Sequence, residues 1–315
     1  MVLEEQILPY YLKVSSLSLI IFILYLCYII NFKAILNEDK VVKIERGLSS
    51  NEIIKSLNIK KNLFDERIFL IILKFSNTIH YGEFSFEKNS SFIDILKIIS
   101  KPSNVDYQLT IVEGWEKYQL KNYMNYYFND YRETEYNNIL ADTYIIKSGN
   151  KYLKLLEIMK VYKQELTNKY KDNELLKKYT MNEILIISSL VEKEGKSIKD
   201  KKMISSVIFN RLNKNMKLQI DATVIYSLTK GRKIFKRNLT YNDLKINHPF
   251  NTYVIRGLPP SPICYVGIKT IEIVLENYKT NYLFYFYNTI EKKHIFSINY
   301  NEHKANLYEY RKKIK

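Results

Sequence analysis

Thr180-Met-Asn-Glu-Ile-Leu-Ile-Ile-Ser-Ser-Leu-Val-Glu192-Lys-Glu194-Gly195 is the stretch on which the reading of this 315-residue chain turns. Thr180 and Glu183 have the spacing of a capping box, in which each side chain satisfies a free backbone N–H at a helix start. Ile184 to Val191 is almost wholly apolar, which predicts a buried helix. That helix delivers two carboxyls, Glu192 and Glu194, to its C-terminal end, where the helix dipole is negative. A carboxyl in such a field, beside apolar surface, holds its proton more tightly than a free one. A protonated carboxyl near neutral pH is what a general acid requires. Two plainer readings compete. In one, the glutamates are solvated residues at a helix end. In the other, Gly195-Lys196-Ser197 closes a phosphate loop. That motif needs Gly at position 190, which is Leu, and two glutamates inside the loop would repel phosphate.

Hydrophobic residues make up 46% of the chain, enough for a real core. Lys plus Arg is 49 against 33 Asp plus Glu, a net charge of +16. Such a balance suits nucleic acid, an anionic membrane surface or an acidic polymer. The lysines scatter along the whole length rather than forming a block, which argues against nucleic acid. Cys27 lies in an apolar run and Cys264 in a Pro-rich loop, so no disulfide framework is implied. The four histidines, His80, His248, His294 and His303, lack metal-ligand spacing, and neither a metal nor a cofactor is expected.

Upstream, Val14 to Ile30 carries no charge, and with Asn31 and Phe32 it reaches the length of a bilayer span. Residues 14–32 are therefore expected to form an uncleaved transmembrane anchor behind a short tail, 1–13. Only Lys13 precedes the run, beside Glu4 and Glu5, whereas Lys33, Lys40, Lys43 and Arg46 follow it. Charge alone would leave the long C-terminal part in the cytoplasm. From Val41 the pattern is that of a small mixed module: a strand at Val41–Glu45, a capped helix from Ser50, a second helix near Asp65–Lys74, a strand at Gly82–Phe86 and a third helix over Ser91–Ile99.

Tyr107–Val112 alternates like a strand and runs into Glu113-Gly114-Trp115. A Tyr-rich helix is expected over Tyr118–Asn138 and a Lys-rich one reaching toward Tyr179. Ile204, Val207, Ile208 and Leu212 share a helical face. If Leu218–Asp221 is extended, Gln219 and Asp221 point the same way. Turn-rich loops follow at Asn247–Tyr253 and Gly257–Pro262, then strands at Tyr282–Asn288 and His294–Ser297, then a basic helix from Asn301.

Several of these segments together resemble the endolytic murein transglycosylases of the YceG-like family. They are Glu113-Gly114-Trp115, Asp142-Thr-Tyr144, Val191-Glu192-Lys-Glu194, Val207-Ile-Phe-Asn210-Arg211-Leu212, Leu218-Gln219-Ile-Asp221-Ala-Thr-Val-Ile-Tyr226, Asn251-Thr-Tyr253, Gly257–Ile263, His294-x-Phe-Ser297 and Glu302-His303. The chain departs from the family pattern at Ala141 and Ala222, where Pro is usual, and at Lys304, where Asn is usual. The resemblance implies an α+β fold in three parts: an N-terminal transmembrane helix at 14–32, a small LysM-like module at 41–105 and an α+β YceG-like catalytic domain at 106–315. It also implies cleavage of peptidoglycan glycan strands between N-acetylmuramic acid and N-acetylglucosamine by attack of the muramic acid's own 6-hydroxyl, leaving a 1,6-anhydro end. One carboxyl then serves where ordinary glycosidases use two, and by alignment that carboxyl is Glu192. Gln219, Asp221, Asn251 and Tyr253 are the candidates for holding sugar. Glu194, about 200° further round the helix, is left a structural or rim residue. Trp115 is expected to pack rather than to carry sugar. The implied partners are glycan strands, the cytoplasmic membrane with the catalytic domain outside it, and the peptidoglycan synthases, with no nucleic acid. An inactive, membrane-anchored peptidoglycan-binding scaffold is the alternative.

Overall fold

The computed structural model describes residues 2–58, 63–76 and 78–314, with side chains from residue 15 onward, Leu63 excepted. It divides into two compact units. The first runs to Gln108 and includes Ile145–Asn150; the second comprises Leu109–Tyr144 and everything from Lys151.

In the first unit, α1 (Val2–Asn31) leads to β1 (Lys40–Ile44), α2 (Ser50–Leu57), α3 (Leu63–Phe75), β2 (Gly82–Phe86) and α4 (Phe92–Ile99). β1 and β2 pair antiparallel with Val42 opposite Phe84, so the two short helices are bracketed by one hairpin-like pair. Capping boxes at Ser49/Glu52 and Ser91/Asp94 start α2 and α4. The inward positions fill one core: Leu57, Phe69, Phe84, Phe86, Phe92, Ile95 and Ile99 are buried, and the Phe69 and Phe92 rings stack at 4.6 Å. The end of α1 joins this core through Ile29. Further back, α1 turns Leu17, Ile21 and Leu24 outward, each 59–63 % exposed. Among the described residues no helix is long and apolar enough to cross a membrane. The run expected to span, 14–32, is helical through Asn31, and its described side chains Leu17, Ile21 and Leu24 face outward.

β3 (Asp106–Thr110) pairs with β5 (Thr143–Lys147), and the division between the units crosses both strands. In the second unit follow α5 (Lys117–Tyr127), β4 (Leu140–Ala141), α6 (Tyr152–Lys169), α7 (Met181–Glu194), α8 (Ile198–Asn213), α9 (Asp221–Thr229), β6 (Val266–Gly267), α10 (Ile268–Leu275), β7 (Phe284–Asn288), β8 (Lys293–Ser297) and α11 (Tyr300–Lys313). α7 is the hub. Ile184 to Val191 are all buried, packed among α8, α9, α10 and β6. A helix apolar all round must be surrounded, and the unit is built to surround it. β4 and β6 pair in parallel, with Ala141 beside Gly267, and β7 and β8 form an antiparallel hairpin.

Three sequence expectations change here. The Tyr-rich helix is only α5, because Phe128 leaves helical geometry and turns inward. The Lys-rich helix ends at Lys169, before a 3₁₀ turn at Glu174–Lys177. Leu218–Asp221 is not a plain strand. Gln219 sits in the left-handed region at φ +51°, which breaks the period-two relation to Asp221, and Asp221 already opens α9.

Candidate active site

α7 begins with the capping box its sequence announces: Thr180 Oγ1 accepts from the Glu183 N–H at 3.2 Å, and the Thr180 N–H donates to Glu183 Oε2 at 2.7 Å. Two serines lie inside its apolar run, and both hydroxyls bond back to helix carbonyls, at Ile184 and Ile186. Ser189 Oγ also accepts the Ile263 N–H at 3.1 Å, which docks the Pro-rich loop on the helix. The Gly195-Lys196-Ser197 triplet is the turn into α8. Ser197 caps that helix, and the Lys196 ammonium lies 3.7 Å from the centre of the Tyr287 ring. A Cβ at Gly195 would press on Lys201 Cγ at 2.5 Å, so glycine lets α8 close against the end of α7.

That closure produces the ion pair at the centre of the site. Lys201 Nζ donates to Glu192 Oε1 at 2.6 Å and to Thr270 Oγ1, on α10, at 2.8 Å. Both charged side chains are largely shielded, Glu192 at 6 % and Lys201 at 13 % exposure. Glu192 Oε2 is buried and finds no hydrogen-bond partner among the described residues. A buried polar atom left unsatisfied in a native site calls for a functional account.

The Glu113-Gly114-Trp115 loop closes the other side. Gly114 N donates to Tyr265 O and Tyr265 N to Trp115 O, each at 2.9 Å. Lys193, on the last turn of α7, pairs with Glu116 at 2.7 Å. Gly114 takes φ +78°, and a Cβ there would lie 3.9 Å from Glu192 Cγ. Trp115 packs edge-on to Tyr123 at 5.4 Å. The Glu113 carboxylate lies over Gly267, where any Cβ would overlap it. Partial desolvation and then the charge of Glu192 raise Glu113 above the usual carboxylate range, while Lys201 works the other way.

Glu194 keeps different company. Burial and then the charge of Asp221 push its carboxyl up to about 7, against a hydrogen bond from Tyr285 that favours the ionised form. Asp221 Oδ1 accepts from the Tyr253 hydroxyl at 2.6 Å, and burial together with that bond raises Tyr253 above the ordinary phenol range. The start of α9 is fastened to the 251–253 loop: Ile220 N and the Thr223 hydroxyl both meet Thr252 Oγ1, at 2.9 and 2.8 Å, and Gln219 N donates to Thr252 O. Asp221 and Tyr253 therefore gather round Glu194, and Gln219 projects from the same junction with an exposed side chain. Asn251 does not join them at the surface. It is fully buried, its amide donating to Leu244 O and Ile246 O and accepting from Tyr253 N. Its side chain shapes the loop, with every hydrogen bond of its amide going to backbone groups.

The raised carboxyl of Glu194 has a measurable consequence for stability. Between the ordinary 4.5 and about 7 the folded chain holds a proton that the unfolded chain has released. Stability attributable to this group is thus full at lower pH and falls as pH rises through that window. Glu194→Gln removes the penalty and keeps an acceptor for Tyr285. The variant is expected to be more stable than wild type by about 1–3 kcal/mol near pH 8, with the gap closing toward pH 4. Urea unfolding at the two pH values checks this, and a variant less stable than wild type at the higher pH contradicts it.

Lys201, Thr270 and Tyr285 belong to the site without any local signal in the sequence. Glu113 stood in a quoted motif but carried no role. His294 and His303 pack against the aromatic side chains of β7: His294, on β8, lies edge-on to Tyr285 and Tyr287, and His303, on α11, stacks on Phe284 at 5.3 Å.

A shielded carboxyl with one oxygen on an ammonium and the other unclaimed, at the end of a buried helix in an α+β scaffold, is an arrangement able to give and take a proton. The chain belongs to the YceG-like family, whose model matches residues 42–309. It is 36% identical over 172 residues to the endolytic murein transglycosylase of Bacillus subtilis (strain 168), an alignment covering 54% of this chain and 42% of the relative. With the endolytic murein transglycosylase of Streptococcus pneumoniae (strain ATCC BAA-255 / R6) it shares 27% identity over 292 residues, 77% of this chain and 53% of the relative. The chain thus spans about half the length, or less, of these curated relatives. The crystal structure of a yceG-like protein from Listeria monocytogenes superposes with a TM-score of 0.56 at 27% identity, covering 85% of this chain and 99% of that one.

Proposed function

We propose that this chain is a peptidoglycan lytic transglycosylase that cuts glycan strands internally, with Glu192 as its acid and base. Glu192 is the observation that carries the reading: it is shielded, braced by Lys201, and has one oxygen unclaimed. Relatives named endolytic murein transglycosylase support the substrate class. In the reaction the bond from C1 of N-acetylmuramic acid to the glycosidic oxygen breaks. That oxygen leaves with the proton of the Glu192 carboxyl. The 6-hydroxyl oxygen of the same muramic acid bonds to C1, and its proton returns to Glu192. No water is consumed, so the enzyme ends the cycle as it began. Asp221 and Tyr253, joined by their hydrogen bond, and the outward Gln219 are the proposed sugar-holding groups. Intact glycan digested with the purified protein is expected to give ends lighter by one water than hydrolysis gives. Ends carrying the full water would overturn the lytic reading, and uncut glycan would favour a binding scaffold.

The outward apolar face of α1 supports attachment at the cytoplasmic membrane, with the rest of the chain outside it, where the glycan lies, beside the peptidoglycan synthases. A C-terminal reporter that is active only in the cytoplasm would overturn that placement.

A further inference from the structure

The reaction above gives Glu113 no task, yet the fold makes room for it. Gly267, the first residue of the α10 cap, has no side chain where the Glu113 carboxylate lies. Gly114 holds a left-handed turn that brings the loop against Glu192 Cγ, and the Lys193–Glu116 pair ties the same loop to α7. A carboxylate is thereby held at Gly267, within the field of both Glu192 and Lys201.

Lys201 presents the problem this arrangement answers. Its ammonium is largely shielded, and a shielded charge without a counter-charge is costly. In this structure it bonds Glu192. Glu192 must carry a proton once in each cycle, and a neutral carboxyl no longer balances the ammonium. We propose that Glu113 is a positioning residue of the active site, receiving the Lys201 ammonium whenever Glu192 is protonated, so that one cation serves two carboxylates in turn. The groups around it fit this. Glu192 faces it from α7, Lys201 from α8 and Asp142 from the segment between β4 and β5. α10 contributes the Thr270 hydroxyl, already a partner of Lys201, and the Gly267 backbone. Lys193 and Glu116 neutralise each other. The coupling of Glu113 to both Glu192 and Lys201 follows from this placement.

The inference rests on the transglycosylase reading, and its test has one arm that does not depend on activity. Carboxyl NMR of the full chain with labelled glutamate is expected to show the raised Glu113 titration moving down in Glu192→Gln, where the Lys201 ammonium turns to it. A Glu113 titration unchanged by Glu192→Gln overturns the proposal. In the glycan assay, Glu113→Gln is expected to lower kcat about ten- to a hundredfold with KM held within about twofold and the pH profile displaced. Glu113→Asp should recover part of the loss. Gly267→Ala, which places a methyl group where the carboxylate lies, should reproduce the defect and add nothing in the double variant. Independent, additive effects of these substitutions also overturn it. Wild-type protein that cuts no glycan sinks the transglycosylase reading, while the titration still decides the role of Glu113.

Discussion

Glu192→Gln is expected to lower the rate of anhydro-end formation about 10²–10⁴-fold, the range that a positioned acid–base group contributes. The substitution is almost isosteric. The amide oxygen still accepts from Lys201, and the helix end keeps its Lys193–Glu116 tie to the loop. It removes the two things the proposed reaction asks for: a proton to give to the leaving oxygen, and a basic oxygen to take the proton of the 6-hydroxyl. Because binding falls mainly to groups elsewhere, KM should move far less than kcat, the pattern of an interaction made in the transition state. Quantifying anhydro ends against time by mass spectrometry, with melting curves to confirm folding, checks it. A folded Glu192→Gln protein that makes anhydro ends at the wild-type rate removes Glu192 from the mechanism.

What the sequence disclosed about this site was whatever is local along the chain. The α7 helix was legible because its cap and its apolar run are both signals of short range, and the structure places them as read. The two glutamates were legible as a pair, and their separate surroundings follow from the rotation between neighbouring helix positions. Lys201 was not legible. It reaches Glu192 because a glycine at 195 lets α8 fold back, and that is a tertiary contact no periodicity encodes. Tyr285 and Thr270 arrive from still further along the chain. Gln219 misled because strand alternation assumes ordinary φ, and its left-handed backbone is set by the junction with Thr252. Asn251 is ambiguous for a different reason: an Asn in a turn-rich segment reads equally well as a ligand group or as a loop brace, and here the loop binds its amide through three backbone hydrogen bonds. The raised carboxyl foreseen for this helix end is found at Glu194, where burial among Asp221, Tyr253 and Tyr285 sets it.

Arg211→Met is expected to destabilise the second unit by about 3–5 kcal/mol, the largest stability effect foreseen for a single side chain. Arg211 is 7 % exposed, and its guanidinium serves three backbone carbonyls. Nε donates to Leu283 O at 2.6 Å, and one Nη donates to Leu218 O at 2.7 Å and Lys217 O at 3.2 Å. Its plane lies over the Phe284 ring, 5.2 Å from the centre, and His303 stacks on that same ring. One planar fork thus joins α8, the 217–218 segment that leads into Gln219 and Asp221, and the strand β7 that carries Tyr285. Met fills the stem but leaves three carbonyls to find other partners, and each orphaned buried group costs ~1–3 kcal/mol. Lys supplies a point charge without the fork, so Arg211→Lys should recover only part of the loss. The fork also fixes the position of the junction proposed to hold sugar. Variants that still fold should therefore raise KM in the glycan assay, in contrast to the kcat effect at Glu192. Urea unfolding of the two variants beside wild type measures the first effect. An Arg211→Met protein within about 0.5 kcal/mol of wild type would mean that water or a shifted backbone satisfies those carbonyls, and that the junction stands without the guanidinium.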